Sequence, residues 1–287
     1  MNLFSIKEIT ALLTRHGFNF SKSLGQNFLT EAYVCENIVD MSGISKSDCV
    51  LEIGPGIGSL TSKIAPAAEK VVAVEIDKKL IPVLGETLKD FSNVEVINED
   101  IMKSDLNELI KTHFAGKAPK VCANLPYYIT TPVISRLIES SLFSSLTVMI
   151  QKEVADRICA EAGTSAYGAF TVFVQYYAEP ELLFNVSADC FIPKPKVESA
   201  VINMKMRDKP LVFPKSESLF FRVVKASFAQ RRKQLVNGLY SEFKSVISKE
   251  ELLNIFTSLD HKPTVRGDEL TIKDFSDISD AIFPFCK

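Results

Sequence analysis

The run Cys-Val-Leu-Glu-Ile at 49–53 opens directly into Gly54-Pro-Gly56-Ile-Gly58, and a helical pattern follows over 60–68. A strand, a glycine turn and a helix in that order make half of a parallel α/β unit. The turn lies at the carboxyl end of the strand, where such sheets bind ligands. Glycine lets the backbone turn tightly and approach a ligand with no Cβ in the way. Glu75 comes 21 positions after Gly54, at the end of the next apolar run. A carboxylate there can accept hydrogen bonds from both hydroxyls of a ribose. Asp100 follows the third run and can meet an adenine edge. The plainer alternatives are a turn that binds nothing, a solvated strand-end Glu75 and a helix-capping Asp100. The glycines and acids taken together in strand context favour a pocket.

The pocket has two candidate ligands. The dinucleotide fingerprint is G-x-G-x-x-G, with pyrophosphate on the helix N-terminus. Here the spacing is G-x-G-x-G, preceded by Glu52. S-adenosylmethionine has no phosphate and carries a sulfonium and an ammonium, so an acidic strand end suits it better.

Strand-like runs at 49–53, 71–76, 94–97, 120–123 and 146–151 alternate with helical segments at 60–68, 78–88 and 131–140, with Pro82 near the start of the second. That predicts an α/β fold with a parallel sheet covered on both faces. Beyond about Pro210 the strand signal stops, and 216–239 and 249–259 look helical. We therefore expect a catalytic domain over 1–207 and a small helical domain over 208–287. The chain has 287 residues, of which 46% are hydrophobic, and a formal net charge of −2, so any nucleic-acid surface must come from local asymmetry. Six cysteines without a C-x-x-C pair and three scattered histidines argue against a metal site. No run approaches a membrane span, and the first 17 residues lack the pattern of a signal peptide, so a cytoplasmic protein is expected.

Asn124-Leu125-Pro126-Tyr127 follows the fourth strand. Asn and Pro are also turn residues, but the place is a strand's carboxyl end. Adenine N6 is a poor nucleophile because its lone pair is delocalised into the ring. Two acceptors aimed at its hydrogens, the Asn124 side-chain oxygen and the backbone carbonyl of Leu125, would favour a pyramidal nitrogen. Tyr127 offers a face on which an extruded base can stack. Asn in place of Asp adds no further charge beside a sulfonium.

These residues resemble the ribosomal RNA adenine N6,N6-dimethyltransferase family, most closely its bacterial small-subunit branch. The likeness runs nearly end to end. It takes in 23–29 (SLGQNFL), 51–58 (LEIGPGIG), 74–77 (VEID), 99–100 (ED), 124–127 (NLPY), 191–197 (FIPKPKV) and 228–233 (FAQRRK). The resemblance implies a Rossmann-like S-adenosylmethionine methyltransferase sheet plus a small helical domain. It also implies that Asn27, Leu29, Gly54, Glu75, Asp100 and Asn124 line the cofactor pocket, beside Gly56 of the glycine loop. The implied substrate is a pair of adjacent adenosines in the 3′-terminal hairpin loop of 16S RNA, each given two methyls within the assembling 30S subunit, by an enzyme expected to be a monomer. Tyr128-Ile-Thr-Thr131 departs from the Asn-Ile-Ser-Thr of many members.

Phe191 precedes Pro193 and Pro195, which stiffen the backbone. Spacing alone fits a core aromatic equally well. The resemblance favours a ring stacked on the base, opposite Tyr127. From Ile192 to Tyr240 there are eleven basic and three acidic residues. If 216–239 is one helix, Arg222, Lys225, Arg232 and Lys233 share a face, while Arg231 falls nearer the apolar side. Such a face is usually only solvated. Its concentration near the pocket motifs, with Lys194 and Lys196, suggests phosphate contact. The competing functions are a large-subunit RNA methyltransferase conferring macrolide resistance, a binding factor that only grips the subunit, and a nicotinamide-dependent oxidoreductase.

Overall fold

The computed structural model describes residues 1–18, 25–230 and 233–286. The chain divides into two compact units, Met1–Ala155 with Pro180–Met206, and Asp156–Glu179 with Arg207–Lys287. Helix α1 (Ile6–Arg15), strand β1 (Phe28–Leu29) and α2 (Ala32–Met41) lead into an alternation. It runs β2 (Cys49–Ile53), α3 (Thr61–Ile64), β3 (Lys70–Glu75), α4 (Ile81–Thr87), β4 (Val94–Asn98), α5 (Leu106–Phe114), β5 (Lys120–Asn124), α6 (Thr130–Ser140) and β6 (Ser145–Gln151). Helices α7 (Lys152–Ile158) and α8 (Ala169–Tyr177) precede strands β7 (Ala178–Val186), β8 (Phe191–Ile192) and β9 (Ser199–Met206). The chain continues through α9 (Glu217–Phe228), α10 (Leu235–Phe243), α11 (Lys249–Ser258) and α12 (Ile272–Ile282).

Seven strands form one sheet in the order β4-β3-β2-β5-β6-β9-β7. β2 pairs in parallel with both neighbours, Val50 opposite Val71 and Lys120, Leu51 opposite Val72 and Val121. A strand covered on both faces must be apolar on both, and all five residues of β2 are buried. Glu52 is the one charged member, and it is only 1% exposed. Pro82 lies in the first turn of α4, where a missing N–H breaks no helical hydrogen bond.

Two strands escape the local pattern. β9 runs antiparallel to β6, from Ser145 opposite Lys205 to Gln151 opposite Ser199. β7 closes the far edge of the sheet, and it tolerates Pro180 because an edge strand can spare a ladder donor.

The second unit has its own core, built around Tyr176, Phe220, Phe243, Phe256 and Phe275. It includes Asp156–Glu179, a segment that the division at 207 assigns to the first domain. The stretch 216–239 is not one helix. Ser216 caps α9 through the Leu219 amide, α9 ends at Phe228, and α10 begins at Leu235. A Cβ on Gly238 would sit 2.5 Å from the Ala226 carbonyl oxygen, so α10 meets α9 at a distance that only glycine permits. Among the described residues no helix is long and apolar enough to cross a membrane, and no cluster of side chains could hold a metal ion.

Candidate active site

The carboxyl ends of β2, β3 and β5 and the loop after β4 open onto a cavity of about 330 Å³. Asn27, Leu29, Gly54, Gly56, Glu75, Asp100 and the four residues Asn124 to Tyr127 all line it, so these sequence-predicted residues meet in one place. Phe28, Glu99 and Tyr128 line it too, and single-residue reasoning had not given them a role. Glu99 adjoins Asp100, Phe28 separates Asn27 from Leu29, and Tyr128 follows the Asn124 motif, so adjacency was the available signal.

The glycine loop is held by main-chain and carboxylate bonds. The Gly54 amide donates to the Val74 carbonyl at 2.9 Å. The Gly56 amide donates to Glu75 Oε2 at 3.2 Å, and the Asp77 amide donates to Glu75 Oε1 at 2.8 Å. Gly56 has a φ of +61°, and a Cβ there would lie 3.0 Å from the Phe28 ring. The loop thus needs glycine both for its backbone angle and for the approach of Phe28.

The electrostatics have one sign. Glu52, Glu75, Glu99 and Asp100 line the cavity, and among the described residues no Lys, Arg or His does so. Burial pushes the Glu75 carboxyl up, opposed by its bonds from the Asp77 and Gly56 amides. Asp100 Oδ1 accepts from the Met102 amide at 3.0 Å, which shapes the turn after β4. Glu99 accepts from Ser104 Oγ at 2.7 Å, and Arg136 of α6 donates to the Ser104 carbonyl, bracing the same loop. A wall of carboxylates repels pyrophosphate and attracts a cation. The arrangement therefore suits a cationic nucleoside better than a dinucleotide.

At the end of β5 the Asn124 Nδ2 donates to the Asn27 carbonyl at 3.3 Å. That bond fixes the amide and leaves Oδ1 as an acceptor. The Leu125 amide donates to the Met149 carbonyl at 3.1 Å, and its side chain is buried. The chain then leaves the sheet through Pro126 into a single tight turn, Tyr127–Ile129. The Tyr127 hydroxyl shares a hydrogen bond of 2.7 Å with Ser199 Oγ, which pins the ring, and burial raises its phenol above the usual tyrosine range.

Phe191 does not join them. It is 5% exposed, pairs with Leu29 across β1 and β8, and packs with Val186, Cys190 and Val201. The structure places this ring in the core beside Leu29, which itself lines the cavity, and a stacking role opposite Tyr127 stays a proposal. The single basic helix face fails. Arg222 pairs with Glu242 at 3.0 Å and lies 4.9 Å over the Phe243 ring, Lys194 pairs with Asp189, and Lys233 falls between α9 and α10. Arg231, Arg232 and residues 23–24 of the N-terminal motif lie outside the described residues. Lys196, Lys225 and Lys233 are exposed, and no ion pair joins them to an acid among the described residues.

Comparison with known proteins agrees with this geometry. "Ribosomal RNA small subunit methyltransferase A" of Streptococcus thermophilus is 50% identical over 275 residues, covering 95% of each chain. The protein of the same name from Alkaliphilus oremlandii is 49% identical over 272 residues, covering 94% of each. Among solved structures, a dimethyladenosine transferase from Plasmodium falciparum superposes with a TM-score of 0.74 at 26% identity, covering 90% of this chain and 98% of that one. The family model described as ribosomal RNA adenine dimethylase matches residues 17–281. The chain belongs to the ribosomal RNA adenine dimethylase family.

Proposed function

We propose that this S-adenosylmethionine-dependent enzyme dimethylates N6 of two adjacent adenosines in the 3′-terminal hairpin loop of 16S RNA, on the assembling 30S subunit. The observation that carries this reading is the cavity itself, lined by four acidic side chains and, among the described residues, no basic one, and bordered by Asn124, Leu125, Pro126 and Tyr127. The residues fit the cofactor. Of the cavity's lining residues, Glu75 is assigned to the ribose hydroxyls, Asp100 and Ile101 to the adenine, and the glycine loop to main-chain contact with the ligand. When bound, S-adenosylmethionine supplies an electrophilic methyl carried on a sulfonium.

The chain's own groups handle the amine. Asn124 Oδ1 and the Leu125 carbonyl accept from its two hydrogens and localise the lone pair. Tyr127, held by Ser199, presents a ring for the base. A strong general base is not needed, since the amine proton becomes acidic once nitrogen carries the new methyl. The rate enhancement comes from positioning and fixed dipoles. Lys196, Lys225 and Lys233 are assigned to RNA phosphates, and the enzyme is assigned a monomeric state in the cytoplasm. Relatives half identical to the chain are named for the small subunit, which sets the large-subunit alternative aside.

The test is methyl transfer from labelled cofactor to under-methylated 30S particles, 50S particles and free 16S RNA, with the modified bases mapped. Label confined to two neighbouring adenosines near the 3′ end, on 30S particles, is expected. Label on 50S particles alone would overturn the assignment.

A further inference from the structure

Glu52 lines the cavity from the penultimate position of β2, and nothing in the methyl-transfer scheme uses it. It is 1% exposed, and its Oε2 makes no hydrogen bond. The groups around it come from four elements. Glu75 faces it from β3, Cys35 from α2, Cys122 from β5 and Thr61 from α3. Burial pushes both thiols up, so they are neutral. The Thr61 hydroxyl has no hydrogen-bond partner within normal geometry. Lys63, the nearest base along α3, is engaged with Glu36 at 2.7 Å. Among the described residues Glu52 thus meets one other acid and no cation.

A carboxylate without a cationic partner in such surroundings is costly, and it keeps its proton instead. Burial first, then the neighbouring Glu75, push the Glu52 carboxyl up to about 8, with Thr61 offsetting part of the effect. At neutral pH the empty site therefore holds a neutral acid in the cavity wall, with one oxygen sealed from solvent and without a hydrogen bond.

We propose that Glu52 couples cofactor binding to proton release: neutral in the empty protein, it ionises as the cationic amino-acid end of the cofactor enters, and it remains as that cation's counter-charge. The inference rests on the reading of the cavity as the S-adenosylmethionine site. The balance is simple. The Glu52 O–H bond breaks, its electron pair stays on oxygen, and the proton leaves to the buffer. One positive charge enters as one leaves, so the buried wall never carries an unpaired carboxylate.

The experiment is titration calorimetry of the intact protein with S-adenosylmethionine, in buffers of different ionisation enthalpy, between pH 6 and 9.5. Release close to one proton is expected at pH 7, falling to about half near pH 8 and to none at the alkaline end. Affinity should rise about tenfold per pH unit below pH 8 and then level. Glu52→Gln should bind with no proton exchange beyond that due to the cofactor's own amine, and without the tenfold-per-unit rise in affinity below pH 8. Subtracting the variant from the parent removes the amine contribution. Binding by the parent without the extra proton, or equal release by E52Q, overturns the proposal. No binding by the folded parent would instead sink the reading of the cavity. Should Glu52→Gln fail to fold, difference infrared spectroscopy of the parent decides. The protonated-carboxyl band should disappear on adding cofactor, and a persisting band overturns the proposal.

Discussion

The amide of Gly56 donates to the carboxylate of Glu75 at 3.2 Å, tying the glycine loop after β2 to the end of β3. Glu75 therefore shapes the loop in addition to the ribose-binding role proposed for it. Glu75→Ala should weaken cofactor binding by about 1.5–3 kcal/mol, the range for hydrogen bonds to a charged group. Glu75→Gln, which can still accept from the Gly56 amide, should lose less. Calorimetry on both variants measures the difference, and unchanged affinity in the alanine variant removes Glu75 from the site.

Asn124→Ala should slow the chemical step more than it weakens RNA binding. Its Oδ1 is assigned to the developing charge on the amine, so the effect belongs to the transition state. Single-turnover rates on 30S particles, with both substrates saturating, make the comparison. A rate equal to the parent's ends the assignment.

Charge reversal at Lys196, Lys225 and Lys233 should weaken subunit binding and leave cofactor affinity unchanged. Each lost phosphate contact lowers the slope of log affinity against log salt by roughly 0.7–0.9. Arg222→Ala should leave that slope alone, because its guanidinium is already paired with Glu242. Identical slopes for the triple variant and the parent would mean that these lysines are only solvated.

How much of this was legible in the sequence depends on the range of the interaction. The runs at β2, β3, β5 and β6 were readable because a strand buried on both faces is apolar without regard to its partner, and the half-buried edge strand β4 was readable from its valines and isoleucine. The site was readable for a related reason. Glycines at a strand end, Glu75, Asp100 and Asn124 all belong to strand–loop junctions that one parallel sheet brings to the same edge. β9 was not readable, since its pairing with β6 is a long-range antiparallel addition that leaves no local period. The break between α9 and α10 was missed because 216–239 holds no proline to mark an end, and the close crossing at Gly238 is a contact between helices. Phe191 could not be placed from spacing, because a stiff Phe-Ile-Pro segment fits a core and a ligand wall equally well. The pairing of Arg222 with Glu242 joins two helices, so charge counting along one of them could not foresee it.

Gly238→Ala should destabilise the protein by about 1–3 kcal/mol, the usual penalty for forcing atoms into a packed interface. The added methyl would lie 2.5 Å from a main-chain oxygen, which cannot move as a side chain can. Chemical denaturation gives the measurement. A variant as stable as the parent would mean that α9 and α10 are free to separate.

The free protein should lose stability through Glu52 as pH rises from about 4.5 to about 8. Its folded carboxyl titrates above its unfolded one, so between those values the native state holds the extra proton. The contribution is complete below the unfolded pKa and is lost as pH climbs through the folded one. The slope is at most about 1.4 kcal/mol per pH unit. Glu52→Gln should flatten this part of the stability–pH curve, and an unchanged curve would show that the carboxyl is already ionised in the folded protein.

The chain passes between its two compact units at three points, after Ala155, Glu179 and Met206. A fragment ending at Met206 would carry α8 without the helices that cover Val172 and Tyr176. A fragment beginning at Arg207 would lack that same helix from its core. Neither half can be excised by a single cut, so chimaeras with relatives must exchange 156–179 and 207–287 together. Recombination at one junction, in the laboratory or over evolutionary time, would pair each core with a foreign piece of itself.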